Sequence, residues 1–341
     1  MELRDERPAG LRRAGLGRLG AACLAVGVYA TAAVAATWPA VTHAGSSFLA
    51  AGAPGFGEAA PGDHLQTGYR LWLVGHQLAH GRAPWLDPYT FQPEVSPLPN
   101  FAAWPFGLVY WPLHALFGDV GGWNAFVLVC YVLAGLAALA WLRALQLPFG
   151  AALAGGLAFA LAPYRVEQSV GHLLGPVSIL LPLALYGVER RRAWLVVAAT
   201  ASIPLSGQVH LALGTTMLVL VYAAVRSRQP RVLAATALGV VLAAAAGLAY
   251  QRLIVAGSIE AGGRSLQEVA HYSAQWLDFV SRDPRHGRES VVFLGWATPL
   301  AALAGAAVLA RARRFALLGV LAVAVVVPCL LALGTNLPAY E

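Results

Sequence analysis

The stretch Pro61-Gly62-Asp63-His64 has the clearest capacity for chemistry in this sequence. It sets a carboxylate beside an imidazole, just after an apolar block. A carboxylate there can take a proton as a general base or ligate a cation. A second reading carries equal weight. Asp63 with Gln66 three residues on fits a helix N-cap and its capping-box partner. The two roles are compatible.

Tyr164-Arg165-Val166-Glu167, followed by His172, forms a second group. Glu167 and His172 can assist Asp63 or bind a metal, and Arg165 can meet a phosphate. The same residues also read as an interfacial loop whose long side chains snorkel toward water. The third group spans 251–290. It mixes Arg252, Arg264, Arg282, Arg285 and Arg288 with Glu260, Glu268, Asp278, Asp283 and Glu289. A guanidinium offers a planar fork of donors suited to phosphate. Most of these arginines read as solvated. Arg252 and Arg264 are the favoured ones, because Arg252 sits closest to an apolar block.

Three other patterns are set aside. Gly15-x-Gly17-x-x-Gly20 matches a dinucleotide fingerprint, but no strand precedes it and an apolar block follows. His76 and His80 have the spacing of helical zinc ligands, but lack the Glu after the first His that a metalloprotease motif requires. Asp87 and Glu94 lie in a Pro-rich stretch and read as turn and surface carboxylates.

The elements that must position these residues follow from composition. The chain of 341 residues is 58% hydrophobic and 11% charged. Soluble domains carry about 25% charged residues, so a water-facing surface is excluded. The apolar residues fall in blocks about as long as a bilayer span, and in lipid such blocks must be helices. Barrel strands would be short and alternating, and these blocks are neither. The fold class is therefore all-α, a polytopic integral membrane protein. The clearest spans are 19–41, 123–142, 148–163, 172–188, 231–250, 291–310 and 315–334. The stretch 193–225 is too long for one span and is broken by Pro204, Ser206 and Gly207, so it reads as a hairpin of two helices. The total is about nine transmembrane helices. Cys23, Cys130 and Cys329 all lie in apolar blocks and read as small hydrophobes.

The net charge of +7 comes from arginine, since the chain has no lysine. A basic chain can suggest nucleic acid, but these arginines sit in short loops and the N-terminal tail, where membrane orientation explains them. The tail 1–18, Arg190–Arg192, Arg226–Arg231 and Arg311–Arg314 read as cytoplasmic. The first block reads as an uncleaved span rather than a signal peptide. Two large loops, 42–100 and 251–290, then fall on the outer face, with the short loop 164–171. Residues 101–117 are apolar but carry Pro105 and Pro112, and a full crossing there would invert every later arginine cluster. A re-entrant or interfacial helix fits instead. Within the first loop, 65–80 reads as an amphipathic helix flat on the outer leaflet, with Leu65, Tyr69, Trp72 and Leu73 on its apolar side.

The span centres hold almost no ionisable residue, His210 being the main exception. Ion-coupled transporters place such residues at the midplane, so a pump or symporter is disfavoured.

The layout resembles the GT-C glycosyltransferase superfamily, in particular YfhO-like membrane proteins. The resemblance rests on Gly62-Asp63-His64-Leu65-Gln66, Tyr69-Arg70-Leu71-Trp72, Gly81-Arg82-Ala83-Pro84-Trp85, Phe91-Gln92-Pro93, Phe117-Gly118 and Trp123-Asn124. Phe159 to Arg165, Gly171-His172, Tyr272-Ser273 and Gly295 extend it over most of the chain. It implies a single transmembrane domain that transfers a sugar from a polyprenyl-phosphate carrier on the outer face of the cell membrane. Asp63 would be the general base. His64, Arg70, Arg165, Glu167, His172, Arg252 and Arg264 would bind substrate. Arginine or a divalent cation, Mg or Mn, would stabilise the leaving phosphate, although no paired-acid motif is present and no residue is assigned as a metal ligand. The implied partners are the bilayer, the lipid-linked donor and a glycan, lipid or protein acceptor, with no nucleic acid. Relatives of this kind continue past the equivalent of Glu341, so further outer residues and helices are expected. A non-catalytic scaffold and a lipid or solute transporter are the competing readings.

Overall fold

Apolar runs free of mid-run breakers form helices, because each backbone N–H then finds its carbonyl within the same segment. The computed structural model describes residues 17–50, 52–53, 57–58, 62–90, 98–99, 102–169, 171–255, 263, 265–281 and 292–337. It is 76% helical. Its strands are two-residue pairs, Gly52–Ala53 with Gly57–Glu58 and Leu86–Asp87 with Leu98–Pro99.

Four helices are long and apolar enough to cross a membrane. They are α1 (Arg18–Ala36), α3 (Gly107–Ala144), α10 (Pro230–Tyr250, prolonged by a π-turn at Gln251–Val255) and α13 (Phe315–Ala332). Shorter apolar helices are α4 (Phe149–Ala160), α7 (Leu180–Glu189), α8 (Ala193–Leu205), α9 (Val209–Arg226) and α12 (Ala297–Arg311). The remaining ones, α2 (Asp63–Ala79), α5 (Pro163–Glu167), α6 (Leu174–Val177) and α11 (Leu266–Tyr272), belong to the connecting segments.

Several bounds differ from the sequence reading. The first span ends at Ala36 rather than 41, and a 3₁₀ turn over Ala40–His43 follows Pro39. The 172–188 block is split into α6 and α7. Pro182 has no N–H to offer Ser178, so the helix restarts around it. The 193–225 hairpin turns at 206–208, where Gly207 takes φ 83 against Ala102.

The 38 residues of α3 are two helices. Gly118, at φ 69 and ψ −167, interrupts them. The first part, 107–117, rises about 16 Å. The second part then doubles back on it. A Cβ on Gly122 would lie 2.7 Å from the Cα of His114, eight residues earlier, which a straight helix could never allow.

Glycine also lets α2 dock on this hairpin. A Cβ on Gly75 would meet the Trp111 side chain at 2.3 Å, and one on Gly107 would meet Val74 at 2.4 Å. Thr67, Leu71, Leu73, Val74 and Gln77 are buried. The expected apolar side is corrected in part: Leu73 is buried and Trp72 packs at the edge of the core, but Leu65 is 54% exposed, and Leu71 and Val74 lie in the contact with α3.

The connections sort to two ends. At one end, the Ala103 amide donates to Ser206 O (3.2 Å), Thr67 Oγ1 to Gly171 O (2.9 Å) and the Ala274 amide to Ala332 O (2.8 Å). At the other, Trp141 Nε1 donates to Tyr222 Oη (3.0 Å) and Tyr222 Oη to Glu189 (2.6 Å), beside Arg226. Leu317 and Val320 of α13 pack with Val188, Val219 and Tyr222 in the core at that second end. Large apolar side chains face outward along the helices, among them Leu303 and Leu331 at 69% and 73% exposure. Such a surface suits hydrocarbon, not water.

Gly107→Ala should destabilise the α2–α3 contact by about 1–3 kcal/mol, because the new methyl meets Val74 and the Leu71 carbonyl. Gly150→Ala in α4, where a Cβ meets nothing within 4 Å, should be neutral or mildly stabilising. Thermal unfolding of both variants in detergent checks the contrast.

Candidate functional site

Gly62 enters α2 in the left-handed region at φ 86 and occupies the N-cap position, with no side-chain cap. Asp63 is thereby moved into the first turn. This corrects the capping-box reading. The carboxylate does not close back on the helix amides with Gln66. It still gains from the positive end of the helix dipole.

Asp63 reaches instead across 109 residues of sequence. Its Oδ2 lies 2.5 Å from His172 Nε2. On the far side of the ring, His172 Nδ1 lies 2.8 Å from Gln168 Oε1. One turn along α2, the Thr67–Gly171 bond locks the same two segments together. The Asp63 and His172 side chains are 37% and 28% exposed, so the pair is reachable from solvent. Asp63 Oδ1 has no hydrogen-bond partner among the described residues. The arrangement is a carboxylate held by one oxygen and, among the described residues, unbonded at the other.

Three features hold the pair in place. Asn124 accepts from the Leu49 amide (2.7 Å) and donates to Ala44 O (2.7 Å) and Ser47 O (2.8 Å), while Trp123 Nε1 donates to Leu49 O (2.7 Å). These bonds tie the start of the first loop to α3. The His64 ring lies between Phe48 and Trp123, at 5.3 and 6.5 Å between centroids. His64 thus belongs to an aromatic wall beside Asp63.

Arg165 is the third. It is only 4% exposed. Its guanidinium donates to Ser178 Oγ (3.0 Å), Ala160 O (3.2 Å) and Cys130 O (3.4 Å), between the rings of Tyr131 and Phe159. Burial lowers its pKa to about 10, so it stays charged at neutral pH. This corrects both sequence readings of Arg165. It neither snorkels nor meets a substrate phosphate. The side chain turns inward and pins α5 to α3, α4 and the end of α6. Gln168, three residues on, is fixed as a result. Sequence reasoning missed Gln168; the signal available was its i−4 spacing from His172.

The other candidates are dispersed. Arg70 lies on the Asp63 side of α2, two turns further along and about 10 Å up the axis. It is half-buried, with no bonding partner among the described residues. Arg252 is exposed in the π-turn after α10, near Leu98–Pro99. Arg264, Glu94 and the side chains of Glu167 and His210 lie outside the described residues.

Asp87 is a further correction. It is buried, not a surface carboxylate. Tyr69 Oη (2.7 Å), Thr90 Oγ1 (2.6 Å) and the amides of Tyr89 (3.0 Å) and Thr90 (3.1 Å) all donate to it. Burial alone would raise its pKa, but these bonds outweigh burial and hold it below the usual carboxylate value. Around it Trp72 stacks on His76 at 4.3 Å, and His76 Nε2 meets Tyr89 Oη at 2.8 Å. Burial first, then His80 and Arg82, lower the pKa of His76.

Among the described residues, no three His, Cys, Asp or Glu side chains gather as a metal site. Asp63 and His172 are joined to each other, and the Glu167 side chain, the other acid expected near them, lies outside the described residues.

A mostly helical chain with four membrane-crossing helices by length and composition, and an acid–imidazole pair at one end, is the class these features define. Comparison with models of protein families, with curated proteins and with solved structures found no match for the chain.

Asp87→Asn should lower the melting temperature most at neutral pH. A depressed carboxylate stabilises the fold above its unfolded pKa near 3.8, and that contribution is lost as pH falls through the lower folded value. The gap between wild type and variant should therefore close on acidification below about pH 4 in a pH series of melting curves.

Proposed function

We propose that this chain is a cell-membrane glycosyltransferase that moves a sugar from a polyprenyl-phosphate carrier to an acceptor hydroxyl, with Asp63 as general base. The observation that carries the reading is the Asp63–His172 pair. A base must be held rigidly yet leave one oxygen free to the substrate. His172, backed by Gln168, takes Oδ2, and among the described residues Oδ1 is unbonded. The acceptor O–H gives its proton to Oδ1, and the acceptor oxygen forms the new bond to the anomeric carbon. The bond from that carbon to the phosphate oxygen breaks, and the lipid phosphate leaves with the electron pair. Arg70, on the same side of α2, is the candidate to meet that phosphate.

The four long and five shorter apolar helices serve as nine crossings in this reading. The 107–117 helix, folded back at Gly118, enters the membrane without crossing it. The arginine-bearing end faces the cytoplasm by the positive-inside rule, which puts Asp63 on the outer face.

The test is transfer by the purified protein from a panel of radiolabelled polyprenyl-phosphate sugars. Asp63→Asn should reduce transfer by about 10³-fold and His172→Gln by about tenfold, with folding unchanged. Equal rates for wild type and Asp63→Asn would remove Asp63 from the mechanism. No transfer from any donor would turn the reading to a transporter or a scaffold.

A further inference from the structure

Two turns at the arginine-bearing end are built alike. After α7, the Arg191 amide bonds Val188 O (3.2 Å) and the Arg192 amide bonds Gly187 O (2.8 Å). After α12, the Arg313 amide bonds Ala310 O (3.0 Å) and the Arg314 amide bonds Leu309 O (2.9 Å). Both are Schellman closures, which need a left-handed residue just past the helix. Glycine is the usual choice, because a Cβ is strained there. Here arginine occupies the position twice, at φ 57 in Arg191 and φ 52 in Arg313. Each turn continues with a second arginine and then an exposed aromatic ring, Trp194 (67%) or Phe315 (62%). The same closure after α3 carries Gln146 at φ 72, so three such turns hold a long polar side chain where glycine is usual, and in two of them it is arginine.

Glu189 is the one acid on these turns, and it is already held by Arg226 Nε (2.6 Å) and Nη2 (2.9 Å) and by Tyr222 Oη (2.6 Å). Among the described residues, the side chains of Arg191, Arg313 and Arg314 have no hydrogen-bond or ion-pair partner. Both turns border one core, in which Val188 and Val196 pack with Leu317 and, at its edge, Leu309. Like charges at one end of a helix bundle repel, and an anion between them offsets that repulsion. Trp194 is of the kind that settles at the headgroup level of a bilayer, and Phe315 is an exposed apolar ring beside the other pair.

We infer that the two turns form one grip for anionic phospholipid headgroups, selective for a lipid with two phosphates over a zwitterionic one. Each left-handed arginine presents its fork of donors to a phosphate, and the neighbouring ring seats against the glycerol and upper acyl region.

The double variant Arg191→Gly/Arg313→Gly tests this without endangering the fold, because glycine is the residue the turn geometry favours. Melting of the purified, detergent-solubilised protein is followed with added cardiolipin, phosphatidylcholine or inorganic phosphate. Cardiolipin should raise the melting temperature of the wild type by roughly 3–6 °C, and phosphatidylcholine and phosphate should not. The variant should melt at the same temperature as wild type or higher without lipid, and should lose most of the cardiolipin shift. Retention of the shift by the variant would overturn the proposal, as would an equal shift with phosphatidylcholine. A full shift with inorganic phosphate alone would make the turns a soluble-anion site and overturn the lipid assignment.

Discussion

A backbone amide that finds no partner in hydrocarbon costs several kcal/mol. That penalty organises everything else here. It makes each apolar block a helix and confines the breaks to a few glycine and proline positions. Gly118 breaks α3 at an exposed position where the chain doubles back on itself. Gly207 breaks the 193–225 hairpin against Ala102. Polar chemistry is left with few places to go, and it collects at the two ends of the helices.

At the end that carries Asp63, small residues and hydrogen bonds do the positioning. Gly75 and Gly107 let α2 approach the folded-back helix closely enough to bury Leu71 and Val74. Trp123 and Asn124 draw the 44–49 segment onto α3. Arg165 is the costliest part of this framework. A buried guanidinium needs compensation, and it obtains that from two carbonyls, one hydroxyl and two ring faces. What it secures is the short α5 segment that presents Gln168 to His172. At the opposite end the chain tolerates strain instead, at Arg191 and Arg313.

Helix positions were largely legible, because apolar length and the placement of Pro and Gly report directly on where a helix can run. Asp63 and His172 were both visible as candidates, since each is a titratable group next to an apolar block. Their pairing was not, for 109 residues separate them and no local pattern encodes the contact. The face of α2 was misread in part for a related reason. Its large apolar residues suggested one side, and Leu73 is buried as expected, but Leu65 is exposed and the approach to α3 runs over Gly75, which carries no hydrophobic signal. Asp87 misled in the same way. A Pro-rich neighbourhood suggested a surface turn, while the hydroxyl of Tyr69 that buries it comes from α2, 18 residues earlier.

By itself, then, the sequence determined what depends on composition and short-range order: a helical membrane chain, its breaks, and two ends distinguished by arginine. The tertiary structure alone decided that Asp63 bonds His172 rather than its own helix, that Arg165 turns inward, and that two distant arginine turns border one core. The physical reason is one of range. Solvent preference and backbone geometry act residue by residue and are written along the chain, whereas close packing depends on which surfaces meet, and that is settled only when the helices come together.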